Sequence, residues 1–233
     1  MKEIKEENID NSNEVKKRVK KIVIKSIITT AFFSLLVLSF SFGVNYIYSN
    51  TALKPIIYIY PEEECEVKMT LLDKDLLTCT YPKYTSGWDV IASPNGDLTD
   101  LKTGNKLYSL YYESKNKNSY KMERDGFCVK REDIASFLEE KLEILGLNYK
   151  EKEEFIVYWL PQLEKYDYVY IRFANEEEIS KNMGLEIEPK PDTLIRIMMT
   201  WKGLETPVDV EEQKLERANR TGYTIVEWGG TEI

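Results

Sequence analysis

Glu227, in the string YTIVEWGG at 223–230, is the side chain whose setting most suggests chemistry. A carboxyl between Val226 and Trp228, followed by two glycines, sits where burial would raise its pKa toward the range a general acid needs. Glycoside hydrolysis can run on carboxylates alone, provided that a second Asp or Glu lies roughly 5 to 9 Å away in a cleft. The sequence identifies no second acid. Arg196, in the otherwise apolar strand LIRIMMTW, is the evident partner for Glu227, and by alternation Glu227 shares a face with Tyr223 and Ile225. A structural Glu227–Arg196 ion pair is therefore the stronger expectation, because perturbed carboxylates without a second acid are more often structural than catalytic. A carboxylate-dependent hydrolase acting on an envelope carbohydrate through Glu227 is the alternative.

The chain contains no histidine. That excludes Ser/His/Asp and Cys/His nucleophiles and the usual zinc sites. Asp97 and Asp100, in PNGDLTD, could offer oxygens to calcium, but two carboxylates without a complete loop pattern are better read as turn residues. No metal or other cofactor is expected. The three cysteines are Cys65, Cys79 and Cys128. A Cys79–Cys128 disulfide is the preferred pairing, with three unpaired cysteines acting as small apolar residues close behind it. Three is an odd number, so at least one thiol is free or pairs between chains. Tryptophans 88, 159, 201 and 228, with many tyrosines, could form a sugar-stacking platform. Trp159 falls on an apolar helix face and Trp201 aligns with Ile195, Ile197 and Met199, which leaves Trp88, beside Gly87, as the candidate exposed ligand-binding ring.

These groups would be carried on a domain held at a membrane. Between Ser26 and Leu53 there is no charged residue, and Ser26–Tyr48 is 23 residues of mostly Ile, Leu, Val, Phe and small hydroxyls. At about 1.5 Å per residue this crosses a hydrocarbon core of roughly 30 Å. Lys16, Lys17, Arg18, Lys20, Lys21 and Lys25 precede it, whereas the next basic residue is Lys54. The positive-inside bias then keeps the N-terminus in the cytoplasm and places the rest outside, with Tyr46 and Tyr48 at the outer interface. The expected order is a disordered cytoplasmic tail over 1–21, a transmembrane anchor over 22–48, and an extracytoplasmic domain over 54–233. The competing reading is a signal sequence cleaved near Ser41 and Gly43, giving a secreted protein, but signal cores are typically about 7 to 15 residues long. Residues 1–25 carry eight basic and five acidic side chains, so the remaining chain, with 24 basic and 35 acidic, has a net charge of −11. Such a domain repels phosphate backbones, so nucleic acid is not an expected partner.

Within 54–233 the residues predict an α+β fold, β-rich over 54–125 and mixed over 126–233. Alternation predicts strands at Cys65–Leu71 and Leu77–Tyr81, joined as a hairpin around Lys74. Further strands are expected at 56–60, 88–92 and 107–112, then at 168–173, 193–201 and 222–228. The apolar stripe Ile134, Phe137, Leu138, Leu142, Leu145 predicts a helix stopped by Gly146, and Asn148 with Glu151 caps a second helix bearing Phe155, Trp159 and Leu163. Asn175 with Glu178 caps a third, shorter one.

The strings KPIIYIYP at 54–61, LTCTYP at 77–82 with GWDV at 87–90, GFCV at 126–129, EFIVYWLP at 154–161, PDTLIRIMMTW at 191–201 and YTIVEWGGTEI at 223–233 recur in order. Together they resemble a family of bacterial extracytoplasmic proteins, membrane-anchored or secreted, to which no reaction or ligand is assigned. The resemblance implies one integral domain over 54–233, and its cysteines match Cys79 and Cys128, which favours their bridge and leaves Cys65 as a departure. The expected function is a membrane-anchored module that binds an envelope polymer or another protein.

Overall fold

The computed structural model describes residue 18, residues 20–39 and residues 51–233, without the side chains of 51 and 52. The chain divides into two units between Ile47 and Tyr48. Among the described residues of the first unit lies one helix, α1 (Lys20–Ser39), long and apolar enough to cross a membrane. Its apolar side chains point outward on all sides, with Ile22, Ile28, Phe32, Leu35 and Leu38 all exposed within the unit. That all-round distribution differs from the single stripe of a helix that packs on a soluble core. The expected tail over 1–21, apart from Arg18, Lys20 and Lys21, and the expected outer end of the anchor with Ser41, Gly43, Tyr46 and Tyr48 lie outside the described residues.

The second unit is α+β. One sheet has eight strands in the order β12-β8-β9-β11-β13-β1-β7-β3, and a second has five in the order β10-β2-β4-β5-β6. The large sheet comprises β1 (Thr51–Tyr60), β3 (Leu77–Tyr81), β7 (Leu110–Lys115), β8 (Asp125–Lys130), β9 (Tyr168–Phe173), β11 (Thr193–Leu204), β12 (Glu211–Glu212) and β13 (Thr224–Glu232). The small one comprises β2 (Cys65–Leu71), β4 (Trp88–Ala92), β5 (Leu98–Asp100), β6 (Lys106–Leu107) and β10 (Leu185–Glu188). Pairing is antiparallel except at β11–β13 and β8–β12. Helices α2 (Ile134–Ile144), α3 (Tyr149–Leu163) and α4 (Glu176–Asn182) complete the unit.

The large sheet is buried on both faces, which explains the near-continuous apolar runs of its central strands. Ile56 and Tyr58 of β1, with Ile195, Ile197, Val226 and Trp228, pack against Leu138, Leu142, Phe155 and Trp159 of the helices. Ile57 and Ile59, with Tyr112 and Ile225, pack on the other face against Val67, Met69, Trp88 and Val90 of the small sheet. A third contact sets Ile179 of α4 against Met198. The double glycine of VEWGG extends β13 past Trp228. A Cβ on Gly230 would stand 2.6 Å from the Trp159 ring and 3.0 Å from the Met199 carbonyl, so only glycine lets the indole lie on the strand.

Two sequence expectations are corrected. The strands at Cys65–Leu71 and Leu77–Tyr81 are not a hairpin: β2 pairs with β4 and β10 in the small sheet, and β3 pairs with β7 at the edge of the large one. A 3-10 turn at Lys74–Leu76 carries the chain from one sheet to the other. The strand expected at 107–112 likewise breaks at Tyr108 and Ser109, where the chain leaves β6 and enters β7. Strands from 54–125 and from 126–233 share the large sheet.

Candidate functional site

The residues singled out by sequence fall mostly in the interior. Arg196 and Glu227 stand directly opposite each other on the parallel strands β11 and β13. Arg196 Nε donates to Glu227 Oε2, and the two side chains are only 1% and 3% exposed. Tyr112 Oη donates to Glu227 Oε1 at 2.6 Å, and Arg196 Nη2 donates to the Met183 carbonyl at 2.8 Å. Arg196 Nη1 reaches Glu176 and Ser180 of α4 at 3.3 and 3.2 Å. Burial alone would lower the Arg196 pKa, but the Glu227 charge and hydrogen bond outweigh it and hold the guanidinium above its ordinary value. Burial, and then the Glu227 charge, push the Tyr112 phenol well up. The result is a polar network that ties α4 to the sheet, open to solvent at Glu176, with both Glu227 oxygens engaged in the interior.

Trp88 is not an exposed ring. It is 1% exposed in the core between the sheets, and its indole N–H donates to the Pro82 carbonyl at 2.9 Å. Gly87 marks the strand entry, but the period of β4 turns Trp88 inward with Val90 and Ala92. Trp159, Trp201 and Trp228 are buried as well. The Cys79–Cys128 bridge is also corrected: all three cysteines are free. Cys79 lies on β3 and Cys128 on β8, six strand positions apart in the large sheet. At about 4.8 Å per strand their separation is on the order of 29 Å, against a Cα limit of about 7 Å for a disulfide. Asp97 accepts from Asn95 Nδ2 at 2.8 Å, and Asp100 accepts from the Lys102 amide at 3.4 Å, both within turns. Among the described residues no three His, Cys, Asp or Glu side chains cluster to hold a metal.

An open site forms elsewhere, where α3 meets the outer ends of β1 and β7. Asn148 accepts from the Lys150 and Glu151 amides at 2.9 and 3.0 Å, and Glu151 accepts from the Asn148 amide at 2.8 Å, so a complete capping box opens α3. Arg220 clamps the same Glu151 at 2.7 and 3.1 Å and lies over the Tyr60 ring at 4.9 Å. The capped turn fixes Glu154 three residues further on. Glu154 accepts from Tyr58 Oη at 2.7 Å and from Tyr108 Oη at 3.4 Å, and Lys54 Nζ lies 3.5 Å from it.

Lys54 also lies over the rings of Tyr158 and Trp228, at 4.7 and 5.5 Å. Tyr158 is one helical turn past Glu154, so a single ammonium spans both. The backbone there is irregular: Lys54 has φ of 50°, and the pairing register of β1 slips between Leu53 and Ile56. A left-handed lysine costs on the order of 1–3 kcal/mol and persists where surrounding contacts over-determine it. Here those contacts are a carboxylate and two aromatic faces. Tyr60 stacks parallel to Tyr58 at 6.4 Å, and the Asn95-Gly96 turn closes over it. Gly96 has φ of 90°, and a Cβ there would meet the Tyr60 ring at 2.7 Å.

The groove so formed has two open compartments of about 440 and 290 Å³, which share Tyr108 and Glu154. The first is bounded by Lys54, Tyr81, Lys106 and Tyr111, the second by Tyr58, Tyr60, Asp97 and Lys150. Tyr108 and Tyr81 are 59% and 58% exposed. Burial first, and then Glu154, raise the pKa of Tyr58 and Tyr108, so both phenols are neutral donors at physiological pH. Convergent aromatic faces with a few placed polar groups are what small-ligand sites present.

Sequence reasoning missed Glu154, Lys54, Tyr58, Tyr60 and Tyr108 as a group. Their signals were present separately: paired tyrosines in KPIIYIYP, a lysine alone at the head of an apolar strand, and an Asn-Gly turn. No known protein family, curated protein or solved structure matches this chain.

Proposed function

We propose that the protein is a single-pass, membrane-anchored binding module, with α1 in the membrane and residues 54–233 outside, where the tyrosine-lined groove engages a component of the cell envelope. The groove carries the reading: it is the place where exposed aromatic rings, a partly open carboxylate and amines converge. The anchor is supported by the length and all-round apolarity of α1, and its orientation by the basic residues concentrated before it. The net charge of −11 after residue 25 supports a partner that is not a polyanion. A hydrolase built on Glu227 draws no support, because both carboxylate oxygens are engaged by Arg196 and Tyr112 away from solvent.

The test is retention of the full chain, in detergent micelles, on isolated envelope fractions. Retention on a polymer or protein fraction is the expected result; passage through every fraction contradicts the reading. On intact cells, a C-terminal tag should be removed by external protease. A tag protected until the cells are broken overturns the orientation.

A further inference from the structure

We propose that the groove is a two-subsite binding site for a linear, uncharged saccharide, with Tyr108 and Glu154 standing between consecutive sugar units; this rests on the binding-module reading and names its ligand class. A sugar ring has apolar C–H faces and a rim of hydroxyls that both donate and accept. It therefore needs flat aromatic surfaces beside groups that can do either. Tyr108 and Tyr81 offer rings open to solvent, one at the shared wall and one in the larger compartment. Glu154 is an acceptor with about four lone-pair positions. Only Tyr58, at 2.7 Å, holds it closely, while Tyr108 and Lys54 stand off at 3.4 and 3.5 Å. Part of its capacity to accept therefore remains for a ligand. Lys54 and Lys150 line the two compartments and add ammonium donors, while Lys106 and Asn95, which also line them, already donate to Thr99 and Asp97.

Charge narrows the class. The compartments hold three lysines against Glu154 and Asp97, a near balance that favours an uncharged ligand over a strong anion or cation. A proline-rich peptide also docks on tyrosine-lined grooves, but proline has no N–H to give to Glu154, whereas every sugar hydroxyl can donate. The sharing of one wall by two compartments fits a repeating chain better than a single compact ligand.

Calorimetry on the full chain, in a polyoxyethylene detergent that carries no sugar headgroup, tests this with three probes: the β-1,4-linked hexamers of glucose and of N-acetylglucosamine, and decaproline. The expected result is binding of at least one hexasaccharide, weakened about tenfold by Tyr108→Ala and by Glu154→Gln, and changed by less than about threefold by Tyr108→Phe, which keeps the ring. Tyr108 is largely exposed, so its variants should keep the near-UV circular dichroism of the parent. The proposal is overturned if neither hexasaccharide binds, if Tyr108→Ala binds as the parent does, or if decaproline binds in their place. Retention on an envelope fraction that survives Tyr108→Ala leaves the binding module standing and removes the groove as its saccharide site. Loss of retention by the unaltered chain removes both.

Discussion

Glu227 faces Arg196 across the one long parallel pairing in the large sheet, and its carboxylate is held between that guanidinium and the Tyr112 phenol in the interior of the domain. Removing one member leaves the other charge buried without its partner, which costs about 3–5 kcal/mol, whereas replacing both with apolar groups of similar volume is close to neutral. Arg196→Met should therefore lower unfolding stability by about that amount, and Arg196→Met with Glu227→Met should recover most of it. Urea titrations followed by fluorescence of the buried tryptophans measure both. A single variant as stable as the parent would show that the pair does not organise the fold.

Alkaline pH should destabilise the domain through its tyrosines. Burial first, and then neighbouring carboxylates, raise the Tyr58 and Tyr112 pKa values above the ordinary 10.0. Above that pH the unfolded chain releases protons that the folded chain retains, so stability falls as pH rises, by about 1.4 kcal/mol per pH unit for each of these two residues. Below pH 10 they contribute no slope. Tyr112→Phe should remove one increment, read as a shallower loss of stability between pH 10 and 11. An unchanged slope would contradict the burial of the phenol.

The thiols should titrate as three per chain in denaturant without reductant, because none is bridged. In the folded chain Cys79, exposed on an edge strand, should react first, and Cys65, whose pKa burial raises, more slowly. Cys79→Ser should change stability by less than about 0.5 kcal/mol, as surface substitutions do. Losing a native disulfide would cost about 2–5 kcal/mol.

Trp88→Ala should cost about 3–5 kcal/mol, the range for emptying a buried aromatic site. An exposed tryptophan would tolerate the change within about 0.5 kcal/mol. Thermal unfolding of the two proteins separates these outcomes.

Local patterns in the sequence were legible wherever a segment carries its own signal. The capping pairs Asn148–Glu151 and Asn175–Glu178 mark helix starts without reference to the rest of the chain, and both capping boxes form. Alternation finds strands such as Cys65–Leu71, but it says nothing about which strand pairs with which, so the hairpin with Leu77–Tyr81 was a natural error. Trp88 was misread because a neighbouring glycine suggests exposure, whereas the strand period decides it. The groove was invisible for a different reason. It draws on 54–60, Tyr81, 95–97, 106–111 and 150–158, which are far apart in the chain and meet only in the folded domain.

Placing function in the Tyr108–Glu154 groove and architecture in the Arg196–Glu227 pair is tested most directly by one comparison: retention on envelope polysaccharide of the folded parent, Tyr108→Ala and Glu227→Gln. Tyr108→Ala should lose retention by about tenfold, while Glu227→Gln, which leaves Arg196 buried without its counter-charge and so lowers stability, should bind like the parent under conditions where it stays folded. Loss of binding in Glu227→Gln, with Tyr108→Ala unaffected, would contradict the assignment.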